Sequence, residues 1–261
     1  MSNTYWAERM AKAQANLTGK NIKATEKQLT KYYSRAMQNC IKSFEATYDK
    51  LLKTIEHGRE PTPADLYKLD TYWQMQGQLK HELQKLGDMQ LTQLSDDFVK
   101  QYQEIYAAMA ATDGELFNII DTDTAKQMIN QIWCADGRSW SNRVWQNTEK
   151  LQEALNEHLL HCVVTGKSTS DLKKILQEDF GVSYGRADGI VRTEMAHIQT
   201  QAARQRYQDI GLKEVEILAD EDERRCDVCG KLHGKRYLIN AAIPIPAHPK
   251  CRCCIVPVVE V

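Results

Sequence analysis

Proline is scarce in this sequence: there are six in 261 residues, and none between Pro63 and Pro244. An interior proline costs a helix about 3 kcal/mol, so its absence over that stretch leaves long helices permitted. Long apolar runs are also missing. Nothing approaches the roughly 20 residues needed to cross a bilayer. The opening Met1-Ser-Asn-Thr-Tyr-Trp-Ala-Glu-Arg-Met10 lacks the apolar centre of a secretory signal. Neither sign of charge is in excess, with 34 Lys and Arg against 35 Asp and Glu for a formal net charge of −1. No global field therefore draws the chain to nucleic acid. Two enzymatic motifs are present only as fragments. Gly166-Lys167-Ser168-Thr169 resembles the end of a phosphate-binding loop, but His161 stands where the motif needs glycine. His81-Glu82 opens an H-E-x-x-H, but Lys85 takes the second histidine position.

What is present is helical periodicity. Leu29, Tyr32, Tyr33, Ala36, Met37, Cys40, Phe44, Tyr48, Leu51, Leu52 and Ile55 step by threes and fours and predict one amphipathic helix. Gly58 and the Pro61-Thr-Pro63 break end it. Leu66, Leu69, Trp73, Leu79, Leu83 and Leu86 predict a second helix, and Leu91, Leu94, Phe98, Tyr102, Ile105 and Met109 a third. After Asp113-Gly114 come a short helix bearing Ala125, Met128, Ile129 and Ile132 and a longer one from Trp140 to Leu159. Ser168 reads as an N-cap, followed by a helix that stops at Gly181 and a last long helix from about Tyr184 to Gly211. The period then changes to two. Val215-Ile217-Ala219, Gly234–Ile239 and Cys254–Val259 predict three short strands. The expected fold is mainly α: an elongated helical body (1–165), then a segment (166–261) ending in a small α+β module from about residue 212.

Five of the eight cysteines lie in that module. Cys226-Asp-Val-Cys229 and His248-Pro-Lys-Cys251 are two short chelating pairs separated by a loop long enough to turn back, which suits tetrahedral zinc. Cys253 is an alternative ligand to His248 or Cys251. Four protein donors leave no open position, so the zinc would be structural. A tail of about 50 residues buries little core, and a metal would supply folding energy directly. Disulfide pairing or simple burial is the competing reading, and a reducing cytoplasm disfavours the first. Glu194 falls on the apolar face of the last helix with His197 one turn on, so its carboxylate needs a partner. The structural reading pairs it with Arg192 or with an arginine of the tail (Arg224, Arg225, Arg252). The rival makes Glu194 and His197 an enzymatic pair of a nuclease or transferase. Basic residues around the cysteines (Lys231, Lys235, Arg236, Lys250, Arg252) leave a DNA-binding zinc protein as a further alternative.

Arg192-Thr193-Glu194, then Ala202, Tyr207 and Gly211, then Asp222 to Gly234 around the Cys226/Cys229 pair, and His248-Pro-Lys-Cys251-Arg-Cys253 form a recognisable series. It resembles the phage head morphogenesis family, the Mu F-like minor head proteins, and Tyr5-Trp6-Ala-Glu-Arg9 is similar to the opening of such chains. Two features depart from the family pattern: the strand before the acidic turn is aliphatic at Ile217-Leu218, and Cys254 is an extra thiol. The resemblance implies a non-enzymatic minor capsid protein of the virion, assembled in the bacterial host cytoplasm. It further implies association with the portal protein and inner capsid, a role in head morphogenesis and in DNA packaging or ejection, and contact with packaged DNA. No membrane anchor and no small-molecule substrate are expected.

Overall fold

A computed structural model describes residues 3–54, 62–112, 119–220 and 222–258. The break at Gly58 and Pro61, the turn at Asp113-Gly114, and Val259 lie outside them. Helices dominate: α1 (Asn3–Thr54), α2 (Pro63–Leu66), α3 (Asp70–Thr112), α4 (Thr122–Ile129), α5 (Trp140–Val164), α6 (Thr169–Asp209) and the short α7 (Asp227–Leu232). The three strands β1 (Glu214–Leu218), β2 (Arg236–Leu238) and β3 (Cys254–Pro257) form one antiparallel sheet in the order β2-β1-β3. The mainly helical fold with a small C-terminal sheet is the one expected. The strand pattern is also right, since Val215, Ile217 and Ala219 alternate inward along β1.

The helices differ from expectation in that α2 and α7 are separate short elements not predicted, and two pairs of predicted helices are each one. The second and third predicted helices are one, α3, and the predicted stop at Gly181 is absent because α6 runs on through it. In each case a glycine sits mid-helix, a cost of about 1 kcal/mol against alanine. One continuous apolar face outweighs it: Leu79, Leu83, Leu86, Leu94 and Phe98 in α3, and Leu172, Leu176, Phe180, Ala187 and Val191 in α6 are all buried. Trp73, expected on the inner face of its helix, is 55% exposed. Tyr72 and Met75 hold the buried phase, while Trp73 stacks on Tyr67 and donates its indole N–H to the Tyr67 carbonyl (2.8 Å). Ile132 is likewise exposed, beyond the end of α4, which Asn130 terminates by donating its side chain to the Lys126 carbonyl (2.8 Å).

The chain divides into two compact units, one of residues 27–92 and 141–188, the other of residues 1–26, 93–140 and 189–261. The first is a helical core in which Tyr33, Phe44, Tyr48, Leu83, Leu155 and Leu176 are buried. At its centre the Asn147 amide donates to the Tyr33 hydroxyl (3.0 Å) and to the Ser183 carbonyl (2.9 Å), and burial pushes the Tyr33 phenol up to about 12. Ser168 and Asp171 cap α6 reciprocally: the Asp171 N–H donates to Ser168 Oγ, and Asp171 Oδ2 accepts from the Ser168 N–H.

The second unit joins residues 3–26 of α1 to the later part of α3, the C-terminal part of α6 and the sheet. Its α1 face is polar. Gln14, Thr18, Asn21 and Thr25, at steps of four, three and four, are all buried. Gln14 Nε2 donates to the Ile255 carbonyl on β3 (2.8 Å), and Thr18 Oγ1 donates to Gln199 (2.6 Å) while accepting from Gln101 (2.6 Å). Asn21 donates to Gln101 and Glu104 (2.8 Å each), and Thr25 donates to Asp97 (2.6 Å). This ladder takes the place of an apolar stripe on that half of α1.

Gly87 explains how α5 meets α3. A Cβ there would lie 2.4 Å from Cζ3 of Trp145, so the indole packs directly on the helix backbone. Gly87→Ala should therefore destabilise the protein by about 1–3 kcal/mol in urea unfolding, against its gain in helix propensity. Shrinking the ring in Gly87→Ala/Trp145→Leu should recover part of that loss; a Gly87→Ala variant more stable than wild type would disprove the close packing.

Candidate metal centre

The first chelating pair is built by a single helical turn. Cys226 caps α7, its thiol accepting the Cys229 N–H (3.4 Å), which places both sulfurs on one side. The sequence reading found the pair but not the helix, whose six residues are too few to show a period. The second pair lies on a tight turn in which the Cys251 N–H donates to the His248 carbonyl (3.2 Å). Between the two residues, Lys250 holds a left-handed φ of 61°, a conformation costly for a side-chain-bearing residue. A hydrogen bond between its N–H and Thr193 Oγ1 on α6 (3.0 Å) helps to hold it there.

The donor atoms converge. His248 Nε2 is 3.1 Å from Cys229 Sγ and 3.3 Å from Cys226 Sγ, and Cys229 Sγ is 3.8 Å from Cys251 Sγ. Ligands 2.3 Å from a tetrahedral zinc are themselves separated by about 3.8 Å, so each of these three contacts is short enough for its two donors to share an ion, and the N/S donor types suit zinc. The Nδ1 of His248 lies 2.8 Å from the Pro249 carbonyl. Donation there fixes the tautomer that leaves Nε2 free for a metal. The donors fall into two groups that share Cys229: Cys226, Cys229 and His248, and Cys229, Cys251 and Cys253, each with its ligand atoms within 4.8 Å of one another. Hydrogen bonding from Cys253 pulls the Cys251 thiol down, and the same bond together with burial pushes Cys253 up. Burial pushes the Cys229 thiol up to about 12. The Cys229 N–H holds Cys226 below its ordinary value. Cys254 is buried in β3, its thiol pushed up to about 12 by that burial. Arg252, next to the cluster, forms a bidentate pair with Asp222 (2.5 and 2.7 Å) and reaches Asp220 (2.8 Å), which holds the Asp222 carboxyl well below its usual range.

Glu194 and His197 lie elsewhere in the same unit. Both are buried, at 4% and 8% exposure. The residue that joins them is Trp133, which the sequence reading missed. Its indole N–H donates to Glu194 Oε2 (3.0 Å), and its ring stacks on the His197 imidazole at 4.2 Å and 8°. Of the arginines named with Glu194, Arg192 pairs with Glu26, Arg224 with Asp222, and Arg252 with Asp220 and Asp222. Arg206 was also missed. It is only 1% exposed and lies over the Tyr106 ring at 5.9 Å. A cleft of ≈ 690 Å³ between α1 and the sheet is lined in part by Glu216, Asp220, Arg236 and Arg252. Those four are already paired, Arg236 with Glu216 (3.3 Å) and Arg252 with Asp220, and neither Glu194 nor His197 lines the cleft.

His197 gives a pH signature. Burial lowers its folded pKa to about 4, below the ordinary 6.5. Between those values the unfolded chain binds the proton and the folded one does not, so stability falls as pH drops from 6.5 towards 4. The full loss is up to about 3 kcal/mol. Denaturant unfolding of wild type and His197→Phe across that range should show a shallower slope for the variant. Equal slopes would place the titrating group elsewhere.

No curated protein and no solved structure matches the chain. Residues 153–256, from within α5 through most of β3, match the family described as Phage Mu protein F like protein. The match contains both chelating pairs, the Arg192-Thr193-Glu194 turn and most of the sheet, so this part of the chain is similar to that family.

Proposed function

We propose that this chain is a non-enzymatic minor capsid protein of a phage virion, associated with the portal vertex. It acts in head morphogenesis and in DNA packaging or ejection, after assembly in the host cytoplasm. The reading divides the chain functionally into a helical body (1–165) and a Mu F-like part (166–261). One zinc ion, held by Cys226, Cys229, His248 and Cys251, stabilises the latter, with Cys253 as the alternative ligand. The observation that carries this reading is the meeting of the two chelating pairs at Cys229, inside the family-matched segment. A closed set of protein donors leaves no position for a substrate, so the ion's contribution is folding energy. Glu194 and Arg192 act structurally, the first through Trp133 and the second through Glu26. The partners are the portal protein, the inner capsid and packaged DNA.

Two measurements test this. The purified chain should carry about one zinc, and Cys229→Ser should lose it together with a clear drop in melting temperature. Chelated and untreated wild type melting alike would remove the structural-zinc role. Co-expressed with the portal protein of the same phage, the chain should co-elute as a complex of fixed mass on size-exclusion. Elution of the chain alone at every ratio and salt would overturn direct portal binding.

A further inference from the structure

Three successive residues of α6 reach three different parts of the second unit. Successive helical side chains are about 100° apart, so Arg192, Thr193 and Glu194 fan around the axis. Arg192 meets Glu26 on α1, and Glu194 accepts from Trp133. Thr193 faces the second chelating turn. Its hydroxyl donates to the Gly189 carbonyl one turn back (2.7 Å), which directs an oxygen lone pair at the Lys250 N–H (3.0 Å). Lys250 itself lies across Gly189, its Cε 3.5 Å from where a Cβ would stand. Lys250 is also the residue in left-handed conformation, immediately before Cys251.

We propose that Thr193 is a positioning residue for the metal centre: its hydroxyl holds the Lys250 amide and so sets the turn that presents His248 and Cys251 to the first pair. Thr193 is not itself a ligand. It acts through the backbone of the residue between two ligands, and α6 becomes the template on which the second pair is pre-formed. The inference rests on the zinc reading above and goes beyond it by naming which helix residue orders the ligands. Groups that orient ligands typically change metal affinity 10–100-fold when removed.

The test is cobalt titration of the full chain, with affinity taken from competition with a chromophoric chelator. Thr193→Val, which keeps the shape and loses the hydroxyl, should bind cobalt 10–100-fold more weakly with unchanged ligand-field bands, and Thr193→Ser should stay within about threefold of wild type. Thr193→Ala replaces the valine variant if that fails to fold. Wild-type affinity in Thr193→Val would overturn the proposal and leave the zinc reading intact. A serine variant as weak as the valine one would overturn it too, since the hydroxyl would not be the cause. Absence of thiolate–cobalt bands in wild type would remove the zinc reading itself, and this inference with it.

Discussion

The constraint that governs this unit is that its sheet is too small to hold itself together. Three strands of three to five residues cannot bury a core of their own. Their stability is borrowed from other elements. Gln14 on α1 satisfies a carbonyl of β3, an edge strand whose polar backbone would otherwise stay exposed or pair with another chain. Thr193 on α6 satisfies an amide in the chelating turn. Side chains from helices far away in sequence thus complete backbone hydrogen bonding that the module cannot complete locally, and the thiols and imidazole of the two pairs bring α7 against the turn before β3.

The buried polar ladder on α1 shows what kind of order this is. Hydrogen-bonded polar residues at a helix interface add less net stability than apolar packing, but they penalise every wrong register, because a slip leaves buried donors unpaired. Asn21 bonded to both Gln101 and Glu104, and Thr18 bonded to both Gln101 and Gln199, specify one alignment of α1, α3 and α6 within the unit. The same logic applies to Trp133, whose indole serves Glu194 by its N–H and His197 by its face.

How much of this could be read from the sequence follows from which signals have a period. The first strand showed itself by alternation, and the donor residues by their paired spacing, which local geometry converts into proximity within each pair. The first half of α1 did not, because its inward positions are written in polar letters: Gln14, Thr18, Asn21 and Thr25 repeat as a core would, but no scan for apolar residues registers them. The fused helices were misread for a related reason. Gly181 reads as a stop, yet α6 runs through it, and Gly87, between two predicted helices, lies against the Trp145 ring within α3. Trp133 and Arg206 were illegible because their roles depend on partners set by tertiary packing, 61 residues away for Glu194 and about 100 for Tyr106.

The bond between Gln14 and Ile255 spans 241 residues of chain. A ribosome adding 5–20 residues per second leaves Gln14 waiting roughly 10–50 s for its acceptor to be made. During that interval the Gln14 amide has water as its partner, although Asn21 and Thr25 can already meet Gln101, Glu104 and Asp97 on α3. The hydrogen bond of Gln14 thus forms only once β3 exists. A product released before β3 therefore lacks both the last strand and the acceptor that Gln14 meets on the first helix's inner face.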